Sequence, residues 1–120
     1  MSDRENHDGN LSFNVDAAIP EARLVKMDSA TVVSAAGLAE TPLGVTSSAT
    51  FAAGDGVNVR ALNRPGTVTM EASKAIAINT VVYGAALGKI TDSSASSAVR
   101  VGISMEVAAA DGDYIQVMPD

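Results

Sequence analysis

The chain has 120 residues, 14 acidic against 8 basic side chains, a formal charge of −6 and no cysteine. That is one domain's worth of chain, long enough to bury a core without staples. The missing cysteines exclude a disulfide framework and a zinc–thiolate site, and the acidic balance weighs against holding nucleic acid through its phosphates. No apolar run approaches the roughly 20 residues of a membrane span, and residues 1–10 lack the basic and apolar regions of a secretion signal. Apolar residues make up 47% but aromatics only 3%, with no tryptophan. Small and β-branched side chains suit thin, tightly packed sheets, and so few aromatics leave no stacking platform for single-stranded nucleic acid.

In chain order, residues 1–10 (MSDRENHDGN) show no apolar periodicity and are expected to be disordered when free. Leu11, Phe13 and Val15 then alternate with polar residues, which predicts a short extended strand. Residues 1–17 are therefore assigned as an extended N-terminal arm, and 18–120 as a single β domain. Short strands are predicted over 24–27, 31–33, 43–45 and 57–61. Arg64-Pro65-Gly66-Thr67 is a type II turn signal, with proline at the second position and glycine at the third. With the alternating 67–72 it predicts a hairpin over 57–72. Further strands are expected over 75–78, 81–83, 89–91, 99–103 and 114–118, short helices over 34–40 and 104–110, and a flexible serine-rich loop over 92–98.

Shifted by 58 positions, the sequence partly matches itself. Gly44 falls on Gly102, Ala52 on Ala110, Gly54 on Gly112, Asp55 on Asp113 and Val59 on Val117, with Leu24 on Val82, Val32 on Ile90 and Leu43 on Val101 further upstream. We read this as one strand-and-turn unit used twice, over about 20–60 and 78–118, with the strand at 11–15 outside it. Gly44 and Gly102 mark a bulge, a bend or a close backbone approach. The Gly-Asp pairs open tight turns, with glycine at positive φ. The expected fold is all-β with minor helix: a small barrel or sandwich from two pseudo-repeated units, with the extended arm.

Catalytic chemistry finds few candidates. His7 is the sole histidine and lies in the arm, so a histidine triad or histidine metal site inside the domain is excluded. No G-x-S-x-G occurs. The only Gly-Lys pair, Gly88-Lys89, has Tyr83 five residues ahead and Ile90 behind, so a phosphate loop fails at both ends. Asp111-Gly112-Asp113 lacks the spaced oxygens of a calcium loop and is better read as a hairpin turn. Glu71 and Glu106 have nothing to hold them as a catalytic carboxylate pair and read as solvated positions. No catalytic, cofactor or metal residues are assigned.

The segments Thr41-Pro42-Leu43-Gly44-Val45-Thr46, Ala52-Ala53-Gly54-Asp55-Gly56-Val57-Asn58-Val59, Pro65-Gly66-Thr67-Val68, Val82-Tyr83, Gly88-Lys89-Ile90-Thr91, Val101-Gly102-Ile103 and Ile115-Gln116-Val117 follow one another in an order and spacing that resembles the small capsid cement, or decoration, proteins of tailed bacteriophages. The resemblance covers about residues 18–118. Where that family often has glycine before the 81–83 strand, this chain has Asn79-Thr80, and asparagine tolerates the same geometry. Such proteins are also labelled predicted RecA/RadA-type phage recombinases, but the failed phosphate loop, the acidic charge and the small size oppose a RecA-like ATPase. The resemblance implies a structural role on the outer surface of the virion: binding the major capsid protein as a homo-oligomer, a trimer ahead of a dimer, with no nucleic acid or membrane partner and synthesis in the host cytoplasm. Beside it, the arm strand is suited to adding to a neighbour's sheet edge, so Leu11, Phe13, Val15 and Ile19 are the candidate partner-binding residues. The alternative is a carbohydrate- or cell-surface-binding module displayed on a virion, for which only Phe13, Phe51, Tyr83 and Tyr114 supply aromatic rings.

Overall fold

The computed structural model describes residues 10–94 and 98–120. Ten short strands run in chain order: β1 Asn10–Val15, β2 Leu24–Met27, β3 Val32–Ala35, β4 Gly44–Thr46, β5 Gly56–Ala61, β6 Val68–Glu71, β7 Val81–Gly84, β8 Ile90–Thr91, β9 Arg100–Ser104 and β10 Tyr114–Pro119. A single 3₁₀ turn, Ala86–Gly88, is the only helical element among the described residues. The first five strands close into a barrel in the order β1-β3-β2-β4-β5, and the last five form a sheet in the order β6-β10-β9-β7-β8. One parallel bridge, Ala72 to Ile90, links the two ends of that second sheet. It stands where the parallel β1·β3 pairing closes the first barrel, and the second sheet, brought end to end by this one bridge, is called the second barrel.

The two halves are copies of each other, and the copying takes in β1. The Gly54 N–H donates to the Val15 carbonyl (2.8 Å) and the Gly112 N–H to the Ala72 carbonyl (2.9 Å). In return the Val15 N–H donates to the Asp55 carbonyl (3.0 Å) and the Ala72 N–H to that of Asp113 (2.8 Å). Ala22 donates to the Thr46 carbonyl as Asn79 does to that of Ser104, both at 2.8 Å. Thr46 Oγ1 donates to the Pro20 carbonyl (2.9 Å) as Ser104 Oγ does to that of Ala77 (2.6 Å). The copies therefore stand 57 residues apart from β1 through β3, matched to β6 through β8, and 58 apart from β4 onward. A gapless register of 58 does not hold, because Thr91 and Gly102 stand one residue further apart than their counterparts Ser34 and Gly44. In the corrected alignment Leu11, Phe13 and Val15 match Val68, Met70 and Ala72, so β1 belongs to the repeat.

Local chemistry explains the residues that match. Gly54 (φ 91°) and Gly112 (φ 93°) take positive φ, and the following aspartates hold the turns. Asp55 Oδ2 accepts the N–H groups of Phe51 and Ala52 (3.0 and 3.1 Å), and Asp113 Oδ2 those of Ala109 and Ala110 (2.7 and 3.2 Å). Gly44 and Gly102 lie where neighbouring backbone leaves no room. A Cβ on Gly44 would sit 2.3 Å from the Arg60 carbonyl oxygen, and one on Gly102 2.2 Å from that of Met118. Asn79 takes φ 56°, so asparagine does adopt the conformation that glycine would supply there, and its counterpart Ala22 does the same at φ 62°.

Three expectations are corrected. The hairpin over 57–72 does not form: Gly66 has the positive φ of its turn (102°), but β5 pairs with β1 and β4, and β6 pairs with β10. The turn carries the chain from one barrel to the other instead of reversing it within a sheet. Neither short helix forms. Ser34 and Ala35 complete β3, Ser104 ends β9, and Ala108 exchanges backbone hydrogen bonds with Ile76. Segments of about seven residues do not repay helix nucleation when strand partners are at hand. Residues 75–78 contribute only that bridge and are not a strand.

Each barrel has its own interior. Phe13, Val15, Ile19, Val25, Val33, Val57 and Val59 fill the first. Met70, Ala72, Ile76, Val82, Ile90, Val101, Ile115 and Val117 fill the second, and Leu24, Ala36 and Val45 of the first barrel join that cluster from outside. Register places Leu24, Val45 and Arg60 side by side across β2, β4 and β5. All three are buried, which makes this outer face of the first barrel the seat of the second.

Candidate functional site

The structure builds β1 into the first barrel. Its edges pair antiparallel with β5 and parallel with β3. Phe13, Val15 and Ile19 are 6%, 2% and 4% exposed and lie in the barrel interior, while Leu11 packs at its rim and keeps part of its surface. Of the four candidate residues, only Leu11 therefore offers side-chain surface to another molecule. Residues 1–9, with His7, and 95–97 in the serine-rich loop lie outside the described residues.

The charged residues gather where the barrels meet. Glu71, 6% exposed, accepts a two-point contact from Arg23 (Nε to Oε1 2.9 Å, Nη2 to Oε2 3.2 Å) and lies 3.4 Å from Lys89 Nζ. Lys89 also donates to Asp111 (2.8 Å), and Arg23 Nη1 to the Leu87 carbonyl (3.0 Å). The hydrogen bond from Lys89 holds the Asp111 carboxyl below its ordinary value of 3.8. The same bond, helped by Glu71 and opposed by partial desolvation, raises Lys89 above 10.5. Glu71 is thus a buried ion-pair partner and not the solvated residue expected. Glu106 is exposed and accepts the Gln116 N–H at 2.8 Å. Arg60 spends its guanidinium on the carbonyls of Ala61, Arg64 and Pro65 (3.0, 3.1 and 3.0 Å). Burial, with the Arg64 charge adding to it, lowers its pKa. These contacts join the barrels and tie down their connection; they present no nucleophile with an adjacent base.

Two open grooves lie on the surface. One of about 410 Å³ runs along the junction between Thr46, Arg60 and Glu21 on one side and Thr69, Tyr114 and Gln116 on the other. The second, about 360 Å³, lies over β1 and β5 and is lined by Ser12, Asn14, Thr31 and Asn58 among others. Among the described residues no group of three or more His, Cys, Asp or Glu is placed to hold a metal ion.

Sequence reasoning missed the apolar surface of the second barrel. Ile78 (58%), Met105 (46%), Val107 (62%) and Met118 (46%) are exposed. Register sets Met118 beside Ile103 and Ile103 beside Val81, both half-buried, on one face. A signal for it was present: in the corrected alignment the first copy has Glu21, Ser47, Ala49 and Arg60 where the second has Ile78, Met105, Val107 and Met118. Larger apolar residues replacing polar or small ones in one copy of a repeat mark a surface that one copy covers differently.

Comparison with known proteins places this geometry. No curated protein matches the sequence. Among solved structures, the crystal structure of the head fiber gp8.5 N base in bacteriophage phi29 is similar in fold, with a TM-score of 0.75 and 16% identity over 92% of each chain. The model of the phage cement protein family matches residues 5–119. The chain belongs to the phage cement protein family.

Proposed function

We propose that this protein is a non-enzymatic structural component of a tailed-phage virion, binding the outer surface of the head and stabilising contacts between major capsid protein subunits. The observation that carries the reading is the exposed apolar surface of the second barrel, on a chain whose family is that of phage cement proteins. A surface holding Ile78, Met105 and Val107 gains free energy when covered. Many copies on one lattice add weak contacts into firm attachment. The acidic charge supports a protein partner over packaged DNA. We further propose that it acts as a homo-oligomer, a trimer ahead of a dimer.

The test is to mix purified protein with expanded heads lacking it, sediment the heads and heat them. Co-sedimentation and a higher temperature of DNA release are expected, and failure to associate overturns the reading. A second reading, a carbohydrate-binding module displayed on the virion, draws on Phe51 (87% exposed) and Tyr114 (53%). These belong to different barrels, and specific hits on a glycan array would favour that reading.

A further inference from the structure

We infer that the open face of the second barrel (Val81, Ile103, Met118) receives the first barrel of a second copy of this chain, in a head-to-tail contact that repeats the packing of the two barrels within each chain. This rests on and deepens the homo-oligomer part of the reading above.

The inference follows from the repeat. In the first copy the corresponding face is Leu24, Val45 and Arg60, and the second barrel covers it. The covering surface is β6 with the Ala86–Gly88 turn: Glu71 binds Arg23, the Leu87 carbonyl accepts from Arg23, and Val68 joins Leu24 and Val45 in one cluster. The chain therefore carries a worked example of what this face accepts. Both halves of that contact recur with surface left open among the described residues. Val81, Ile103 and Met118 repeat the receiving half on the second barrel. On the first barrel, β1 and the 28–31 turn repeat the covering half: Leu11 stands for Val68 and Asn14 for Glu71. Leu11 keeps exposed surface, and Asn14 and Thr31 are exposed beside the groove over β1 and β5.

Charge offers no obstacle in the same register. The counterpart of the Arg23–Glu71 ion pair is Thr80 with Asn14, two neutral polar groups, so the contact leaves no buried charge unpaired. One edge differs. A Cβ on Gly88 would lie 2.6 Å from the Leu24 carbonyl oxygen, and Thr31 stands in that place on the first barrel, so the copies meet less closely there than the two barrels do. The contact is heterologous. It closes into a ring when the rotation between copies allows, and otherwise runs on as a chain.

The test uses the free protein, apart from any head. Sedimentation velocity from low concentration to about 100 μM is expected to show reversible self-association. Ile103→Lys should weaken it about tenfold or more with the urea midpoint unchanged. Thr80→Arg and Asn14→Glu are made on separate chains, each installing the residue that the other copy already carries. Mixed together, they should associate about tenfold more tightly than wild type at low salt, and the gain should vanish at high salt. If Ile103→Lys fails to fold, the mixed pair decides. A wild-type chain that stays monomeric overturns both this inference and the homo-oligomer reading. Association that neither Ile103→Lys nor the mixed pair alters overturns the assigned interface alone. Head binding, measured separately, is untouched by either result.

Discussion

Four glycines make a graded test of the backbone geometry. A Cβ on Gly44 or Gly102 would approach a carbonyl oxygen to 2.3 or 2.2 Å, and the obstacle in each case is backbone of the paired strand. Ordinary carbon–oxygen contact needs roughly 1 Å more, so β4 must move from β5, or β9 from β10, by about that distance. Such overpacking costs about 1–3 kcal/mol, and disturbed ladder hydrogen bonds add about 1 kcal/mol. Gly44→Ala and Gly102→Ala should each cost about 2–4 kcal/mol. Gly54→Ala meets no atom within 4 Å but requires φ 91°, so it should cost about 1–2 kcal/mol. Gly56→Ala also meets nothing and sits in a strand without positive φ, so it should stabilise by about 0.4–1 kcal/mol. Urea unfolding followed by far-UV circular dichroism reads all four, with an m-value of about 1–3 kcal/mol/M as the slope. Gly102→Ala within about 0.5 kcal/mol of Gly56→Ala would refute the close-approach account.

Phe13→Ala should cost about 3–5 kcal/mol in the same assay, because Phe13 fills the first barrel; an unchanged midpoint would put the side chain outside the core. Glu71→Ala should cost about 2–4 kcal/mol by stranding Arg23 and Lys89 at the junction, read as a lower urea midpoint. Asp111 contributes stability that is complete above its ordinary pKa of 3.8 and is lost as pH falls through its lower folded value. Lys89 contributes stability that is complete below 10.5 and is lost as pH rises through its higher folded value. Midpoints measured against pH should therefore drop at both ends, and Asp111→Asn should flatten both limbs at this contact.

What the sequence revealed depended on how locally each feature is determined. Gly54-Asp55 and Gly112-Asp113 were legible because two adjacent residues set the turn: one supplies positive φ and the other a carboxylate for two N–H groups. The place of β1 was not, because its pairs with the second copy, such as Phe13 with Met70, share only apolar character and lie one residue out of the register that the identical glycines define. Pro65-Gly66 announced a turn correctly, yet a turn does not say whether its flanks pair, and pairing here was decided by partners at β1 and β10. Leu11, Phe13 and Val15 drew attention by alternation, which reports that one face is buried but not whether the same chain buries it. The open face of the second barrel became visible only when the corrected repeat showed what covers its twin.

Among the described residues the two sheets share no strand pairing, and residues 62–67 carry the chain between them. Each barrel draws its strand partners from about fifty consecutive residues, so the first can close before the second has left the ribosome. The tether then presents the second barrel to the first at a local concentration of order millimolar. A contact helped in this way needs little intrinsic strength, whereas the same contact between separate chains must do without the tether. Copies crowded on a common lattice recover that advantage, so assembly between chains is best supported where many of them are held side by side.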